Sequence, residues 1–455
     1  MASPAPADRD PGSAPTDEQQ PWLQLEAIWY PLAFVEDLDL ERPTSVSVYD
    51  RPLVLFRGTG GTWTCLLDRC PHRMSKLSDG GLMDGKLECL YHGWQFDGAG
   101  RCAHIPQLAG DKPKPRRAHL KPLLLVEKQG MLWVWLGDSE RANEPEIPCI
   151  PELDDPSVIS VDFMMDLPYE QSYLVENVFD VAHIHIAHHG MRGGGDRAYA
   201  KPLEFEIDSY SIDGIQARFR SVGLNAPGAP ELDMAEVQLK GPNLIWYRSQ
   251  YADKSLCSGL ALYCLPTGAG RCRLLYRSFS NFWPAKEKRI PRWIRHGTLC
   301  TILEQDMNVV VGQSAWIDSS QTQLQDSWLP LKSSDSLVVK YRKWLDEFGQ
   351  QLPNNRGFET SNVPLKARES VCQTRDVQSQ RFLQHTRICS SCKGMLERAE
   401  RARRVSKILL VLLLVCAVGF GGTLTGRLLG VCALLCGVAN LVSERIQDRL
   451  ERPAV

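Results

Sequence analysis

The sequence predicts an α+β protein built from three unlike parts: a small all-β domain, a larger domain with an antiparallel sheet and helices, and two apolar helices near the end of the 455-residue chain. Three observations lead to this prediction. Short apolar runs alternate with Gly- and Asp-rich turns up to about residue 138, hairpin-like pairs mix with helical periodicity between residues 157 and 370, and residues 408–443 are almost uncharged. Two or three domains are expected at this length, because single hydrophobic cores stop growing at roughly 250–300 residues.

Composition excludes several classes of protein. The chain has 52 Lys and Arg against 54 Asp and Glu, a net charge of −2, so we expect no nucleic-acid partner. Its 15 cysteines are scattered, which excludes a disulfide scaffold and favours a reducing compartment. Residues 1–24 have no hydrophobic periodicity and no apolar signal segment, so we expect a disordered leader that is not a secretory signal.

The first domain is expected at residues 25–138. Each of its three predicted hairpins consists of two apolar runs around a Gly-containing turn. The pairs are Leu53–Phe56 with Thr62–Leu67, Gln95-Phe96 with Arg101-Cys102, and Leu123–Val126 with Met131–Leu136. Residues 139–156 are rich in Pro and charge and are interpreted as a linker.

The second domain is expected at residues 157–370, with helices and an antiparallel sheet. Helical patterns and hairpin patterns alternate along it. The helical stretches are Tyr173–Ala187, Ile294–Val311 and Leu337–Phe348, and the hairpins pair Leu203–Ile207 with Ile215–Phe219 and Leu260–Leu265 with Cys272–Phe279.

The tail divides into a basic stretch at residues 371–407, an apolar pair at 408–443 and a charged end at 444–455. Ile408–Gly426 and Leu428–Ser443 would reach roughly 28 and 24 Å as helices, against about 30 Å for a bilayer core. We expect a transmembrane hairpin that turns at Gly426-Arg427; a hairpin buried in the protein is the alternative. The basic excess over Lys393–Lys407 places the folded domains on the cytoplasmic or equivalent side.

One motif predicts an iron–sulfur cluster. Cys70, His72, Cys89 and His92 follow the pattern C-x-H-x16-C-x2-H, in which each of two loops offers one thiolate and one imidazole. Two Cys on one iron and two His on its neighbour are the ligands of a Rieske [2Fe-2S] cluster. A tetrahedral zinc site is the alternative, although classical zinc motifs pair Cys with Cys and His with His.

The two boxes, CPHR at residues 70–73 and CLYHGW at residues 89–94, resemble those of the Rieske family. They are similar to its oxygenase branch, because neither carries the additional cysteine of the cytochrome bc branch. For the second domain, this resemblance implies a helix-grip fold that holds a mononuclear ferrous ion.

A second metal site is predicted where four histidines lie within seven residues, at 183, 185, 188 and 189. Two histidines and one carboxylate form the facial triad of non-haem iron oxygenases. His185 and His189 share a helix face, whereas His183 and His188 need a π-bulge or a helix end to converge. A core helix with incidental histidines is the remaining alternative.

The pattern N-x2-D-x2-H-x4-H, from Asn177 to His188, resembles the mononuclear-iron motif of Rieske oxygenases. The resemblance implies that His183 and His188 are iron ligands. It also implies that Asp180 connects a cluster histidine to an iron-ligating histidine across a subunit boundary, in a homotrimer. For the third ligand it favours Asp306, with Glu304 as the second choice.

Cys389 and Cys392 form a C-x-x-C pair just before the apolar run. Two sulfurs at this spacing can oxidise together, so they are a possible redox pair. Two nearby cysteines without function are the alternative, and a zinc half-site is less favoured.

The order of these features, with Trp29-Tyr30-Pro31 near the start, resembles the pheophorbide a oxygenase, lethal leaf spot and chlorophyllide a oxygenase-like family. The resemblance implies a membrane-anchored oxygenase that uses dioxygen and electrons from ferredoxin to oxygenate a tetrapyrrole such as pheophorbide a or chlorophyllide a. A Rieske electron-transfer protein and a redox-sensing membrane protein are the competing functions. A chloroplast membrane, with the domains on the stromal side, and a cyanobacterial membrane are the expected locations.

Overall fold

The structure is a computed structural model, and it describes residues 22–110, 112–191, 194–220, 230, 232–320, 322–363 and 380–453. Most of the expected leader, residues 1–21, and part of the basic tail, residues 371–379, lie outside the described residues.

The strands fall into two groups on either side of residue 150. Those of the first group are β1 Trp29–Phe34, β2 Thr44–Val48, β3 Arg51–Arg57, β4 Trp63–Leu67, β5 Gly81–Met83, β6 Lys86–Glu88, β7 Gln95–Phe96, β8 Cys102–His104, β9 Leu124–Lys128 and β10 Met131–Trp135. Those of the second group are β11 Ile159–Leu167, β12 Phe205–Ser211, β13 Gly214–Phe219, β14 Leu232–Lys240, β15 Leu244–Tyr251, β16 Ser258–Gly268 and β17 Arg271–Ser280.

The α-helices all follow the first group of strands. They are α1 Gln171–Phe179, α2 Ile184–Ala187, α3 Arg292–Ser319, α4 Leu324–Ser327, α5 Ser336–Phe348, α6 Ser390–Gly419 and α7 Leu424–Glu451. A π-helical turn, Phe382–Thr386, precedes α6.

The first domain consists of small antiparallel sheets with the strand orders β1-β10-β9, β2-β3-β4 and β5-β6-β7-β8. The three predicted hairpins are confirmed as the pairs β3/β4, β7/β8 and β9/β10. Their turns are local in sequence, which is why the residue pattern was sufficient to locate them.

The second domain is built on a seven-stranded antiparallel sheet with the order β11-β17-β16-β15-β14-β13-β12. Both predicted hairpins are confirmed as β12/β13 and β16/β17. Along β14, Ala235, Val237 and Leu239 are buried and alternate with less buried residues, so one face of this strand packs on the core with α1, α3 and α5.

A shared core joins the two domains. Trp133 of β10 packs edge-on against Tyr263 of β16, with ring centroids 5.5 Å apart. Beside them, buried Arg277 of β17 pairs with Asp162 of β11 at 2.5 Å and donates to the Gln129 carbonyl of the first domain at 2.7 Å. The domains therefore contact each other through an apolar core and through the hydrogen bond from Arg277 to the Gln129 carbonyl, while the Arg277–Asp162 pair lies within the second domain.

The single helix predicted over Tyr173–Ala187 is wrong in one respect, because the helix is interrupted at Asp180. α1 ends at Phe179, a 3-10 turn covers Val181–His183, and α2 follows. The Asp180 carboxylate accepts hydrogen bonds from the backbone N–H groups of Ala182 and His183, at 3.1 and 3.3 Å, as an N-cap residue does. The chain therefore restarts its helix at Asp180.

The C-terminal hairpin is present, but its predicted turn at Gly426-Arg427 is wrong. The turn lies between Gly419 and Leu424, with Gly422 at φ +81°, and the Thr423 side chain caps α7 by accepting from the Gly426 N–H. The uncharged part of α6 is thereby shortened to residues 408–419, roughly 18 Å, while that of α7 remains residues 428–443, roughly 24 Å, because Arg427 lies inside the helix.

The two hairpin helices contact each other through polar groups at one end and expose apolar side chains elsewhere. Asn440 donates to the Arg403 carbonyl and to Ser406, and Arg403 donates to Gln447 at 2.8 Å. Apolar side chains such as Val418 and Leu434 are 83% and 72% exposed. In the described part of the chain, Leu424–Glu451 is a helix long and apolar enough to cross a membrane.

Candidate functional site

The loop that carries Cys70 and His72 is held by a buried carboxylate. Asp68 accepts hydrogen bonds from the backbone N–H groups of Leu77 and Ser78, both at 2.8 Å, and from the Ser78 hydroxyl at 2.6 Å. These bonds close the loop between β4 and β5 at its base, so that its tip is preorganised.

The Cys70, His72, Cys89 and His92 side chains converge from two loops. Both thiols are 1% exposed and lie within the core of the first domain, whereas the His72 and His92 rings lie near the surface with centroids 4.4 Å apart. This arrangement separates a thiol pair inside from an imidazole pair outside, as a cluster with two Cys on one iron and two His on the other requires.

The two thiols are in different environments. Burial raises the pKa of Cys70 to about 11. Burial also acts on Cys89, but hydrogen bonds from Ser75, at 3.2 Å, and from the backbone of Tyr91 outweigh it and lower the pKa of this thiol. Hydrogen bonds to a ligating sulfur are one of the means by which a protein sets the potential of such a cluster.

The Cys70, His72, Cys89 and His92 set fits a two-iron cluster better than a single ion. Among the described residues, two groups of His, Cys, Asp or Glu have all their ligand atoms within 4.8 Å of one another, and this set is not one of them. Zinc in a tetrahedral site would require that compactness.

His183, His188 and Asp306 form one of the two compact groups. The Asp306 carboxylate Oδ1 lies 3.5 Å from His183 Nε2 and 3.1 Å from His188 Nε2. His183 belongs to the 3-10 turn after Asp180, and His188 is the C-cap of α2, so a helix end brings this pair together. The two imidazoles and the carboxylate approach the same point, as in a facial triad.

Hydrogen bonds on the outer side of each ring determine which nitrogen faces inward. His183 Nδ1 donates to the Asp180 carbonyl, and His188 Nδ1 lies 2.9 Å from Gln305 Oε1. With the proton on Nδ1, each Nε2 carries a lone pair toward Asp306 Oδ1. Three acceptors thus converge without a proton of their own, and this donor set fits a divalent cation.

The electrostatics of the group favour a positive charge. Burial lowers the pKa of His188, but its hydrogen bonds with Asp306 and Gln305 outweigh this effect, so the pKa is above its usual value. A site that stabilises a protonated imidazole also stabilises a cation at the same place.

The structure separates the two carboxylates proposed for the third ligand. Asp306 lies beside the histidines, whereas Glu304, two residues earlier and roughly on the opposite side of α3, is buried in an ion pair with Arg381, with N–O distances of 2.6 Å. Glu304 therefore binds Arg381, in the segment that leads into the C-terminal hairpin, and does not face the two histidines.

His185 and His189, the pair on one helix face, do not converge. His185 is buried and accepts from the Asp196 N–H at 3.3 Å, while His189 is exposed and accepts from the Arg197 N–H at 3.2 Å. Neither belongs to a compact ligand group among the described residues.

A cavity of about 430 Å³ opens beside the triad, within the usual range for a small-molecule pocket. Asp180, His183 and Asp306 form part of its wall, and Val310, Trp328 and Val338 provide apolar surface. A substrate in this cavity would contact the triad directly.

Cys389 and Cys392 are both 1% exposed, and they do not stand alone. Together with His296 and His385 they form the second compact ligand group. Sequence reasoning missed these two histidines. The spacing His385-x3-Cys389-x2-Cys392 could have indicated one of them, but His296 is 89 residues from His385 and no local pattern connects them. It also missed the outer partners Gln305 and Ser75.

Comparison with known proteins agrees with this geometry. Residues 28–122 match the Rieske [2Fe-2S] domain family, and residues 240–323 match the pheophorbide a oxygenase family. The crystal structure of dicamba monooxygenase bound to dicamba superimposes with a TM-score of 0.60 at 24% identity, over 70% of this chain and 96% of that chain, which shows the same fold.

Two curated relatives are similar over most of the chain. Pheophorbide a oxygenase of Oryza sativa subsp. japonica is 33% identical over 424 residues, 86% of this chain and 77% of that protein. Protein TIC 55 of Arabidopsis thaliana is 34% identical over 340 residues, 74% of this chain. The aligned part spans 62% of the length of that TIC 55 protein.

Proposed function

The chain belongs to the pheophorbide a oxygenase family of Rieske non-haem iron oxygenases, and from this premise we propose that it oxygenates a tetrapyrrole with dioxygen and electrons from ferredoxin. The observation that carries the proposal is the convergence of His183, His188 and Asp306 at the wall of a cavity large enough for a small-molecule substrate. A protein that only transfers electrons would have no use for such a cavity.

In this proposal, Cys70, Cys89, His72 and His92 hold the cluster, and His183, His188 and Asp306 hold the ferrous ion. When bound, the cluster supplies one-electron transfer and the iron supplies dioxygen activation. The chain's own part is positioning. The Asp180 carbonyl and Gln305 orient the two imidazoles, and the apolar wall at Val310, Trp328 and Val338 excludes water around a planar macrocycle.

The proposed electron path runs between subunits of a homotrimer. The His72 and His92 rings lie near the surface, and Met74, Leu90 and Tyr91 around them are 65%, 74% and 60% exposed. An exposed apolar rim around a redox centre favours docking against another protein surface. In the trimer, the cluster histidine of one subunit would dock on the neighbouring subunit, where Asp180 would connect it to His183 of that same neighbouring subunit.

The proposed domains are the Rieske domain at residues 25–138, the linker at 139–156 and the catalytic domain at 157–370. The exposed apolar surface of α6 and α7 supports a membrane anchor, and the basic residues at the start of α6 support a location of both domains on the cytoplasmic or stromal side.

The test uses the full chain purified in detergent without oxygen. We expect about three irons and two acid-labile sulfides per chain, whereas an electron-transfer protein would hold about two irons. Supplied with reduced ferredoxin and ¹⁸O₂, the protein should convert pheophorbide a or chlorophyllide a to a product that carries the heavy isotope in its mass spectrum.

The matched variants are His188→Ala and His189→Ala, which remove neighbouring histidines inside and outside the triad. His188→Ala should lose about one iron and all turnover yet keep the Rieske absorption. His189→Ala should keep its full iron content, its turnover and the Rieske absorption. Equal effects of the two substitutions, or full turnover by His188→Ala, would contradict the proposed iron site.

A further inference from the structure

Four buried side chains meet where the C-terminal segment joins the catalytic domain. His296 lies in the second turn of α3, His385 lies in the π-helical turn, and Cys389 and Cys392 lie at the start of α6. All four are 1% exposed. This His296–His385–Cys389–Cys392 group is separate from the two iron sites and takes no part in the oxygenase mechanism proposed above.

The four ligand atoms are close enough to surround one ion. His296 Nδ1 lies 3.2 Å from His385 Nε2, 3.4 Å from Cys389 Sγ and 3.6 Å from Cys392 Sγ. His385 Nε2 lies 3.2 Å from Cys392 Sγ. All ligand atoms fall within 4.8 Å of one another, so two nitrogens and two sulfurs form one compact group.

The outer ring nitrogens determine the tautomers of both histidines. His296 Nε2 lies 2.9 Å from the Asp162 carbonyl, and His385 Nδ1 lies 2.6 Å from the Met164 carbonyl, both on β11. A carbonyl oxygen can only accept, so each outer nitrogen carries the proton and each inner nitrogen carries a lone pair. Two lone pairs therefore face each other across 3.2 Å, an arrangement that a bound cation would stabilise.

Metal-bound histidines generally have this outer hydrogen bond to a carbonyl or carboxylate, which fixes the ring and its tautomer. Cys389, the N-cap of α6, and Cys392, in its first turn, contribute the second pair of ligands. Leu396, Leu450 and Trp293 pack around the two cysteines, and the Arg292–Asp37 ion pair lies near Cys389.

From these contacts we propose that His296, His385, Cys389 and Cys392 bind one structural zinc ion in a closed tetrahedral site. Two sulfurs and two imidazole nitrogens are a zinc ligand set, and four protein ligands leave no open position for catalysis. Zinc displaces the two thiol protons, and the charges of two thiolates and one Zn²⁺ sum to zero. A neutral site is compatible with complete burial, whereas two unpaired thiolates would not be.

The zinc site would anchor the C-terminal hairpin to the catalytic domain. Its ligands come from α3, which also carries Asp306, and from the segment that continues directly into α6. Arg381 supports the same junction by pairing with Glu304 and donating to the Arg449 carbonyl of α7. The zinc would thus join the helix that holds the iron ligand to the helices that enter the membrane.

The experiment uses the full chain in detergent, purified anaerobically with a phosphine reductant, and measures zinc, iron and acid-labile sulfide together. We expect about one zinc per chain in addition to the iron. The double variant Cys389→Ser, Cys392→Ser should hold at least tenfold less zinc with unchanged iron and sulfide. Cys300→Ser is the matched control, because Cys300 is equally buried on α3 but outside the group, and its zinc content should not change.

A second measurement needs no variant. Exchange of the wild-type protein with Co²⁺ should give the visible bands of a tetrahedral cobalt site and a sulfur-to-cobalt charge-transfer band. Wild-type protein without zinc and without these bands would overturn the proposal, as would zinc retained by the double variant. A Cys389–Cys392 disulfide in peptide maps of zinc-free native protein would establish a redox pair instead. Iron content separates these outcomes from failure of the oxygenase proposal.

Discussion

The four histidines of the two compact ligand groups are each oriented by a hydrogen bond at the outward ring nitrogen. His183 and His188 use the Asp180 carbonyl and the Gln305 side chain, and His296 and His385 use two carbonyls of β11. The partner of His183 lies within the motif from Asn177 to His188, whereas Gln305, the partner of His188, lies more than a hundred residues away and could not be anticipated. The partners of His296 and His385 are backbone atoms of a distant strand, and no residue type in the sequence identifies them.

The substitution Asp180→Asn tests the role of this carboxylate apart from its role in capping. Asparagine keeps the oxygen that accepts from Ala182 and His183 but removes the negative charge. We expect unchanged iron and sulfide contents and a loss of turnover of at least a hundredfold. Asp253→Asn, at an exposed turn, is the control. Full activity in Asp180→Asn would exclude the assigned role.

The pH dependence of wild-type turnover gives an independent check of the same residue. Burial raises the pKa of Asp180 above its ordinary value. The charged form is therefore lost at a higher pH than for an exposed aspartate, and turnover should fall as the pH decreases through the raised pKa. The low residual turnover of Asp180→Asn should not show this decrease at low pH. If both proteins show the same decrease, another group is responsible for the titration.

At the scale of elements, the sequence predicted those features that neighbouring residues determine, such as hairpins. The hairpins β3/β4 and β16/β17 were identified because Gly-rich turns lie between two apolar runs. The break at Asp180 and the true turn near Gly422 were not identified, because both depend on side-chain caps whose partners are backbone N–H groups. A run of apolar residues alone does not show where a helix ends.

Gly194 allows the loop after α2 to pack closely against the backbone of His188, an iron-site residue. A Cβ atom at this position would lie 2.1 Å from the His188 carbonyl oxygen, a backbone atom that cannot move without displacing the imidazole. Gly194→Ala should therefore lower iron occupancy of the triad and reduce turnover by about a hundredfold or more, since displacements near 1 Å have effects of that size. Gly312→Ala is the control, because nothing lies within 4 Å of its Cβ position on α3. Normal iron content in Gly194→Ala would show that the loop adapts.

At the scale of the whole molecule, the two domains share one apolar core, and buried Arg277, which pairs with Asp162 within the second domain, donates across the interface to the Gln129 carbonyl. The sequence predicted the fold class of both parts, but it could not show their docking, because the contacting residues are separated by more than a hundred positions. The exposed apolar surface of the C-terminal helices is likewise a property of the assembled fold, and it supports the proposed membrane anchor.

Arg277→Met tests the domain interface. Removing one partner of a buried ion pair leaves an uncompensated charge on Asp162, which costs about 3–5 kcal/mol of unfolding free energy. Arg218→Met removes an ion pair with Asp208 whose arginine side chain is 41% exposed, and should lower the unfolding midpoint much less, because solvent screens this pair. Urea unfolding followed by tryptophan fluorescence measures both; equal midpoints would show that the Arg277 pair contributes little.

Membrane insertion is tested by the double substitution Leu434→Arg, Leu435→Arg on the exposed face of α7, where the side chains are 72% and 64% exposed. Each arginine near the helix centre should disfavour insertion by about 2.5–3.5 kcal/mol, so the variant should leave membranes on alkaline extraction. Leu331→Arg, at an exposed position before α5, should remain membrane-bound. Identical extraction of both variants would exclude α7 as the anchor.

The continuity of α6 fixes the distance between the catalytic domain and the apolar stretch of the helix. The helix begins at Ser390, beside the catalytic domain, and its apolar stretch begins at Ile408, which is 18 residues or roughly 27 Å further along. A continuous helix of that length is a rigid spacer between the catalytic domain and the apolar stretch. With the membrane anchor proposed above, the cavity would be carried at a nearly constant distance from the lipid surface, and a lipid-dissolved macrocycle would have to leave the bilayer to reach the iron.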